Sequence, residues 1–337
     1  MSETRYHNRR AWQLEDSDTR ITVTVEGGHV AEILDKATGV NPLWTPPWPS
    51  IEPSTYDRAR HPEYGADAES KLLSGIMGHN LCLDLFGPPS PEEEAAGMTV
   101  HGEASIVPYD IAVSGNEMIC RAHMPIAQLA IERHIRLEPG GEIRFVETVE
   151  NLSALDRPAA WTEHVTLGPP FLEKGVTQFR VPAARSITME GTVYSWPNFP
   201  LHGGGSEDLR TYTSMPSCGR FSAHLMDPSR DEAFFLAWSP TSKVLIGYAW
   251  SRADVPWLGM WDENYERPLA PWSNRTLTRG MEFGASPIAE TRRRMIDRNS
   301  LFDTPAYRWL PARTKLTVNY RAFIRSAPEI PDAPPSR

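Results

Sequence analysis

The sequence predicts an all-β protein, and three observations favour this fold class. The 31 prolines and 23 glycines of the 337-residue chain are scattered along its whole length. Such a distribution suits short strands joined by turns and disfavours long helices. Apolar and polar residues alternate in segments 20–25, 142–149 and 315–323, and each segment predicts a strand with one buried face. Helical periodicity is weak, with residues 290–299 as the best short segment.

Turn signals and irregular segments divide these strands along the chain. Glycine pairs at 27–28 and 140–141 stand beside predicted strands, at positions that suit hairpins. Segment 43–64 is rich in proline and tryptophan, and segment 194–216 contains three consecutive glycines. Loops of this length in a compact domain are usually functional rims or lids.

Neither a composition break nor an internal repeat divides the sequence. We therefore expect a single domain over residues 1–337, with a core from about 18 to 325. The termini, up to about residue 12 and after about residue 327, are expected to be loosely held.

Composition and charge disfavour two classes of partner. The net charge of −9 disfavours nucleic acid and anionic membranes, since both require a basic face. No apolar stretch is long enough to span a bilayer, and residues 1–10 lack the apolar run of a signal peptide. Cys82, Cys120 and Cys218 are odd in number and widely separated, which indicates buried thiols in a reducing compartment. We predict a cytoplasmic protein, either a monomer or a homodimer.

Three residues carry the most concrete chemical signal. His101 precedes a glycine, His164 lies in an apolar strand-like segment, and Glu282 lies between Met281 and Phe283. Two imidazoles and a carboxylate around one pocket can move protons without a metal or cofactor. The histidines lack the i, i+2 or i, i+4 spacing frequent in metal sites, and no phosphate loop, dinucleotide fingerprint or nucleophile elbow is present. We expect no metal and no cofactor.

In their order along the chain, these residues resemble the aldose 1-epimerase (galactose mutarotase-like) family. The elements that carry the resemblance are an opening strand pair ending at 28–35, His101-Gly102, the turn at 150–152 leading to His164, Glu282 before Pro287, and a closing strand after Leu310-Pro311. The resemblance covers about residues 18–325. It implies one large antiparallel β-sandwich of the galactose mutarotase-like (supersandwich) type, with a pocket on one sheet face.

The resemblance also implies a reaction and three roles. The protein would interconvert the anomers of an aldose or a modified sugar by general acid/base ring opening. Glu282 would be the general base, His164 the general acid to the ring oxygen, and His101 a second hydrogen-bonding group there. Each residue has a plainer interpretation, namely an exposed strand residue, a structural histidine and a turn cap.

The sequence departs from the family pattern around the substrate. Segment 165–171 follows His164 where the family has an aromatic pair and an asparagine. Asp262 is the candidate for the family's sugar-binding aspartate. A residue of segment 77–87, which contains His79 and Asn80, could take the place of the family's substrate-binding arginine. Five further arginines could serve an anionic sugar: Arg133, Arg185, Arg220, Arg267 and Arg275.

Tryptophans add a second indication of a saccharide site. Six lie in or beside Pro- or Gly-rich loops: Trp44, Trp48, Trp196, Trp257, Trp261 and Trp272. Sugars pack their C–H faces on aromatic rings, although these rings could also fill gaps beneath loops. The predicted substrate-binding set is His79, Asn80, Trp257, Trp261, Asp262 and Glu163.

Two other functions remain open. A non-catalytic saccharide-binding protein could use the same scaffold, with its histidines bonded to sugar hydroxyls. A polysaccharide lyase-like enzyme is the other alternative, whereas a paired-carboxylate hydrolase lacks a convincing second acid. Fold alone does not decide between these functions.

Overall fold

Two large antiparallel sheets form the molecule. The computed structural model describes residues 3–335; in that part, the larger sheet has twelve strands and the smaller has eight. The strands of the larger sheet are β1 (Thr4–Tyr6), β2 (Arg9–Glu15), β3 (Thr19–Thr24), β4 (Val30–Asp35), β5 (His79–Asp84), β10 (Arg157–Leu167), β12 (Ala183–Thr188), β13 (Val193–Tyr194), β16 (Cys218–Met226), β19 (Trp257–Asn264), β20 (Leu277–Gly284) and β23 (Arg308–Leu310). Their spatial order is β1-β2-β3-β4-β5-β10-β20-β19-β16-β12-β13, with β23 paired to β10.

The smaller sheet lies against one face of the larger. Its strands are β6 (Asp110–Ser114), β7 (Glu117–Met124), β8 (Leu129–Glu138), β9 (Glu142–Asn151), β11 (Gln178–Arg180), β17 (Glu232–Trp238), β18 (Val244–Ser251) and β24 (Lys315–Ser326). The spatial order is β11-β17-β18-β24-β9-β8-β7-β6.

The elements outside the two large sheets are short. They are the hairpins β14 (Asn198–Pro200)/β15 (Ser206–Asp208) and β21 (Ser300–Leu301)/β22 (Thr304–Pro305), the helices α1 (Ser70–Leu73), α2 (Pro91–Ala95) and α3 (Arg292–Arg298), and the 3-10 turns Pro53–Thr55 and Pro62–Tyr64. Within residues 3–335, no helix is long and apolar enough to cross a membrane.

The core confirms the predicted all-β sandwich. Leu81, Val165 and Met281 of the larger sheet share one buried cluster with Ile131 and Phe145 of the smaller sheet. The three predicted strands are present as β3, β9 and β24, and the weak helical signal corresponds to α3. The glycine pairs lie in the β3–β4 and β8–β9 turns with positive φ angles, which glycine adopts without steric strain.

The N-terminal segment is held more firmly than the sequence predicted. Strands β1 and β2 extend the larger sheet, and the Arg9 guanidinium is fully buried. It donates to the Glu52 carboxylate and to the carbonyl oxygens of Gly75 and Glu26. A buried guanidinium with three acceptors ties the strand to the domain. Residues 1, 2, 336 and 337 lie outside the described part of the chain.

Three further expectations are met only in part. Cys82 and Cys120 are buried as predicted, but Cys218 is partly exposed. The irregular segment 194–216 contains the β14–β15 hairpin. Beyond residue 327 the described chain has no strand, although the Ala327 carbonyl accepts a bond from the Trp238 indole at 3.0 Å.

Candidate functional site

The sheet register places His164 and Glu282 side by side. Strands β10 and β20 pair antiparallel near the middle of the larger sheet, with His164 directly opposite Glu282. Opposite residues in such a pair project from the same face. Their neighbours Val165 and Met281 belong to the core between the sheets. Because side chains alternate along a strand, His164 and Glu282 project from the other, outer face.

The two side chains form a direct contact, which we call the dyad. His164 Nε2 lies 3.0 Å from Glu282 Oε1, and His164 Nδ1 lies 3.0 Å from Thr166 Oγ1. The residues are only 4% and 2% exposed. A threonine hydroxyl can donate or accept, so this environment suits either a neutral or a protonated imidazole. The dyad can therefore give up and regain a proton without rearranging its partners.

Two glycines make room for the carboxylate. Gly280 precedes Glu282 by two residues on the same face, and Gly259 stands opposite Glu282 on β19. A β-carbon at position 280 would overlap Glu282 Oε1, and one at position 259 would lie 3.1 Å from Oε2. The absence of side chains at these two positions defines where the carboxylate can sit.

Gly280→Ala is expected to impair the dyad without unfolding the sheet. Gly280 has no positive φ angle, so alanine fits its backbone, and the atoms it displaces belong to the flexible Glu282 side chain. We expect a loss of about 100-fold in the rate of an acid/base reaction that uses Glu282, and a stability change below about 1 kcal/mol, the usual difference between glycine and alanine within a strand. Gly259→Ala is the control, because its β-carbon would press less closely on the carboxylate and should cause a smaller loss. An equal or larger loss of rate in Gly259→Ala would contradict this account. Steady-state kinetics and thermal unfolding provide the two measurements.

His101 lies beside the dyad, and its free ring nitrogen is a hydrogen-bond acceptor. Its ring centroid lies 4.8 Å from that of His164. Nδ1 donates to the Phe86 carbonyl at 2.7 Å, which leaves Nε2 without a proton. Burial, together with His164, lowers the pKa of His101 to about 3. The ring oxygen of a sugar is also an acceptor, so His101 in this tautomer would accept from a hydroxyl rather than bond to the ring oxygen.

The backbone around His101 needs the glycine that follows it. His101 and Gly102 both have positive φ angles, of 67° and 78°. A β-carbon at position 102 would overlap the Leu83 carbonyl oxygen of β5. Gly102 therefore lets this loop approach the sheet closely enough to bring the imidazole beside His164.

Aromatic side chains form the walls of a pocket of about 290 Å³ above the dyad. They are Trp44, Phe86, Phe221, Trp261 and Trp272. Trp44 and Trp272 are parallel with ring centroids 6.0 Å apart, and the Trp261 ring is 5.8 Å from Trp272. These indoles sit in a separate apolar cluster with Trp48, beneath loop residues 51–76. They thus fill space under the loops and also present ring surface to the pocket.

Two charged residues in the pocket wall have no clear sequence signal. The Arg267 guanidinium carbon lies 4.6 Å from the Trp272 ring centroid and 5.3 Å from that of Trp261. Arg267 Nη1 lies 3.4 Å from both Glu69 carboxylate oxygens. Desolvation raises the pKa of Glu69, although Arg267 opposes that shift. Arg267 was one of five candidate arginines, whereas Glu69 was not identified. They lie 198 residues apart in different loops.

His79 and Glu163 lie on the opposite face of the sheet from the dyad. His79 Nε2 donates to Glu163 Oε2 at 2.8 Å, and Tyr248 lies 3.3 Å from His79 Nδ1. Burial lowers the pKa of His79 well below its ordinary value. Glu163 precedes His164, so strand alternation turns its carboxylate toward the smaller sheet. The structure therefore places both residues in the core rather than at the substrate-binding positions predicted for them.

A polar network in the core joins the two sheets behind the dyad. Arg133 Nε lies 2.5 Å from Glu147 Oε1, and Arg133 Nη2 lies 3.2 Å from Glu163 Oε2. The Tyr320 hydroxyl donates to Glu147 at 2.6 Å and lies 3.1 Å from Glu163. One guanidinium thus serves two buried carboxylates. Burial raises the pKa of Glu147 to about 7, although Arg133 alone would lower it.

This raised pKa predicts that stability falls as the pH rises. Between the ordinary glutamate pKa of 4.5 and about 7, the folded protein keeps a proton on Glu147 that the unfolded chain has released. The unfolding free energy should therefore decrease across that window, by at most about 1.4 kcal/mol per pH unit. Glu147→Gln should flatten the slope, and exposed Glu94→Gln should not. Urea unfolding at several pH values checks this, and equal slopes in all three proteins would contradict it.

Three other residues predicted to bind substrate are buried and make contacts within the protein. Asp262 is fully buried between Arg279 and Arg220, with Oδ–N distances of 2.7–2.8 Å. Burial alone would raise the pKa of Asp262, but these ion pairs lower it. The Trp257 indole donates to the Pro305 carbonyl beneath the β21–β22 hairpin at 2.8 Å. Asn80 stands opposite His164 but is buried, and its amide donates to Ser105 Oγ at 3.0 Å.

Of the six predicted substrate-binding residues, Trp261 is placed in the wall of the pocket. Segment 77–87, where a replacement arginine was sought, contributes Phe86 and Gly87 to the lining instead. Within residues 3–335, no group of three or more histidine, cysteine, aspartate or glutamate side chains is arranged to hold a metal ion.

Comparison with known proteins supports the fold. No protein-family model and no curated protein sequence matches the chain. Several solved structures match the chain. One is a Klebsiella pneumoniae protein provisionally assigned as an aldose 1-epimerase (TM-score 0.67, 15% identity, 95% of this chain and 80% of that one). Galactose mutarotase-like proteins from Clostridium acetobutylicum (TM-score 0.64, 13% identity, 97% and 98%) and Lactobacillus casei (0.60, 13%, 94% and 100%) also match.

These matches extend over nearly the whole chain at low sequence identity, so they establish the fold. The reaction has to be argued from the residues of the site. The resemblance seen in the sequence is confirmed at the level of the fold. The chain has the galactose mutarotase-like fold.

Proposed function

We propose that this protein is an isomerase that interconverts the anomers of an aldose without a cofactor. The observation that carries the proposal is the 3.0 Å contact between His164 Nε2 and Glu282 Oε1 at the base of an aromatic-walled pocket. A carboxylate and an imidazole placed together supply the base and the acid that ring opening of a hemiacetal requires.

The reaction balances on these two side chains. With His164 protonated, Glu282 takes the proton of the anomeric hydroxyl while the C1–O5 bond breaks and His164 protonates O5. The dyad is left as a carboxylic acid and a neutral imidazole, beside an open-chain aldehyde. Rotation about C1–C2 followed by the reverse transfers closes the ring on the other face. The dyad holds one proton before and after, so each turnover restores it.

The rest of the pocket would hold the sugar. His101 Nε2 can accept from a hydroxyl next to the reacting centre, because its other nitrogen donates to Phe86. Trp261 and Trp272 offer ring faces to sugar C–H groups. Arg267 is held over those rings and can donate to further hydroxyls.

A comparison of binding with rate tests the proposal against a non-catalytic saccharide-binding role. Freshly dissolved α-anomers of neutral and acidic aldoses would be followed by polarimetry with and without protein, and binding of the same sugars by calorimetry. The proposal expects at least one sugar to relax faster with protein. Binding without any acceleration would contradict it and favour a saccharide-binding protein.

A further inference from the structure

A second cavity lies beside the pocket above the dyad and shares a wall with it. Its volume is about 480 Å³. Phe221 lines both cavities, and Met189 of the first is followed in the chain by Glu190 of the second. The Phe221 ring and Glu282 Oε2 both lie over Gly259, at 3.0 and 3.1 Å from where a β-carbon would be. The cavities therefore meet at an aromatic ring that adjoins the proposed base.

The second cavity is built from parts of the chain that do not belong to the dyad. The turn after β12 and the long segment 194–216, predicted from sequence to be a functional rim, supply most of its lining. Among the lining residues are Phe199, Leu201, His202, Met215 and Arg220. A surface that combines aromatic, apolar and polar groups suits a sugar ring, which has apolar C–H faces and a rim of hydroxyls.

The pocket above the dyad has room for a single sugar ring and little more. Its volume of about 290 Å³ is at the lower end of the range of about 300–1,000 Å³ typical of small-molecule pockets. A ligand that also occupies the cavity of about 480 Å³ must extend beyond one sugar ring. Because Phe221 separates the two spaces, the extension would cross an aromatic surface next to the reacting centre.

The charges of both cavities favour an uncharged ligand. Arg267 in the first already lies 3.4 Å from Glu69 and 3.6 Å from Glu263. Arg220 in the second donates to Glu207 at 2.6 Å and to Asp262 at 2.8 Å. A guanidinium shared by two carboxylates has little attraction left for a phosphate or a sugar acid.

We infer that the second cavity is a subsite for the second sugar unit of an uncharged reducing disaccharide, whose reducing-end ring lies over the dyad. The placement of the reducing end rests on the proposed function. The subsite itself rests on the shared Phe221 wall, the lining and the charges.

Calorimetric titration with glucose, galactose, maltose and lactose tests the subsite. The wild-type protein is expected to bind at least one disaccharide about tenfold or more tightly than either monosaccharide, equivalent to about 1.4 kcal/mol. Thr192 lines the second cavity and is exposed, so Thr192→Trp should fill it. That variant should lose the disaccharide advantage and keep the monosaccharide affinity. Leu155→Trp, at a position 76% exposed in the β9–β10 turn, is the matched control.

Three outcomes would overturn the subsite: equal affinity for all four sugars, no binding of any of them, or an equal loss of both sugar classes in Thr192→Trp. Anomer exchange measured on the same samples separates this inference from the proposed function. A disaccharide preference in binding with no accelerated exchange would support the subsite and contradict the isomerase.

Discussion

Glu282→Gln is expected to lower kcat for anomer interconversion by about 10²–10⁴-fold, the usual contribution of a positioned acid or base. Glutamine has nearly the same shape as glutamate and keeps an oxygen atom close to His164 Nε2, which lies 3.0 Å from Oε1. It cannot take the proton of the anomeric hydroxyl. KM should therefore change little, because the variant loses an interaction made in the transition state. Polarimetry over a range of sugar concentrations gives both constants.

A matched control for this variant lies in the same pocket. Glu69→Gln changes another carboxylate of the lining, whose contact is with Arg267 rather than with His164. We expect kcat to stay within about tenfold of the wild-type value. A loss in Glu69→Gln as large as that in Glu282→Gln would show that the pocket responds to any lost carboxylate, and would contradict a specific role for the dyad.

Arg133→Met is expected to destabilise the fold by about 3–5 kcal/mol, the usual effect of removing one partner of a buried ion pair. Arg133 is the guanidinium that contacts both Glu147 and Glu163 between the sheets. Methionine fills much of its volume but leaves two buried carboxylates without a cation. Urea unfolding measures the change.

The same strand supplies a control for that prediction. Arg136→Met removes an exposed guanidinium of β8 that lies 3.6 Å from Glu138, and should cost less than about 1 kcal/mol. Above about pH 7, adding Glu147→Gln to Arg133→Met should recover part of the lost stability, since glutamine cannot lose a proton in a buried site that has lost its cation. Similar unfolding free energies for the Arg133 and Arg136 variants would show that the network contributes little.

Local pattern predicted the fold class, and the resemblance to the galactose mutarotase-like family implied that His101, His164 and Glu282 lie close together. Strand alternation is a short-range property, so it could be recognised without knowledge of the tertiary structure. The same rule could have excluded Glu163, because a residue next to His164 in a strand must face the other way. Pairing between distant strands could not be deduced in this way, so His79 and Asp262 were predicted at the pocket although both are buried behind it.

The pocket wall was the least predictable part of the site. Glu69 and Arg267 come from loops whose mutual position depends on the whole sheet, and neither stands in a recognisable motif. The positions of Trp261 and Glu69 in the pocket wall both depend on how the loops pack over the cluster of Trp44, Trp48 and Trp272. Loop conformation follows from tertiary contacts that no local periodicity encodes.

The most direct test of the proposed dyad chemistry is saturation transfer between the anomeric protons of a reducing sugar, followed by NMR at neutral pH with the wild-type protein. Saturating the α-anomeric proton should lower the β-anomeric signal more with protein than in buffer, because the dyad opens and recloses the ring. Sugar signals that report binding, with transfer no faster than in buffer for every sugar tried, would contradict the proposal that His164 and Glu282 move protons on a bound aldose.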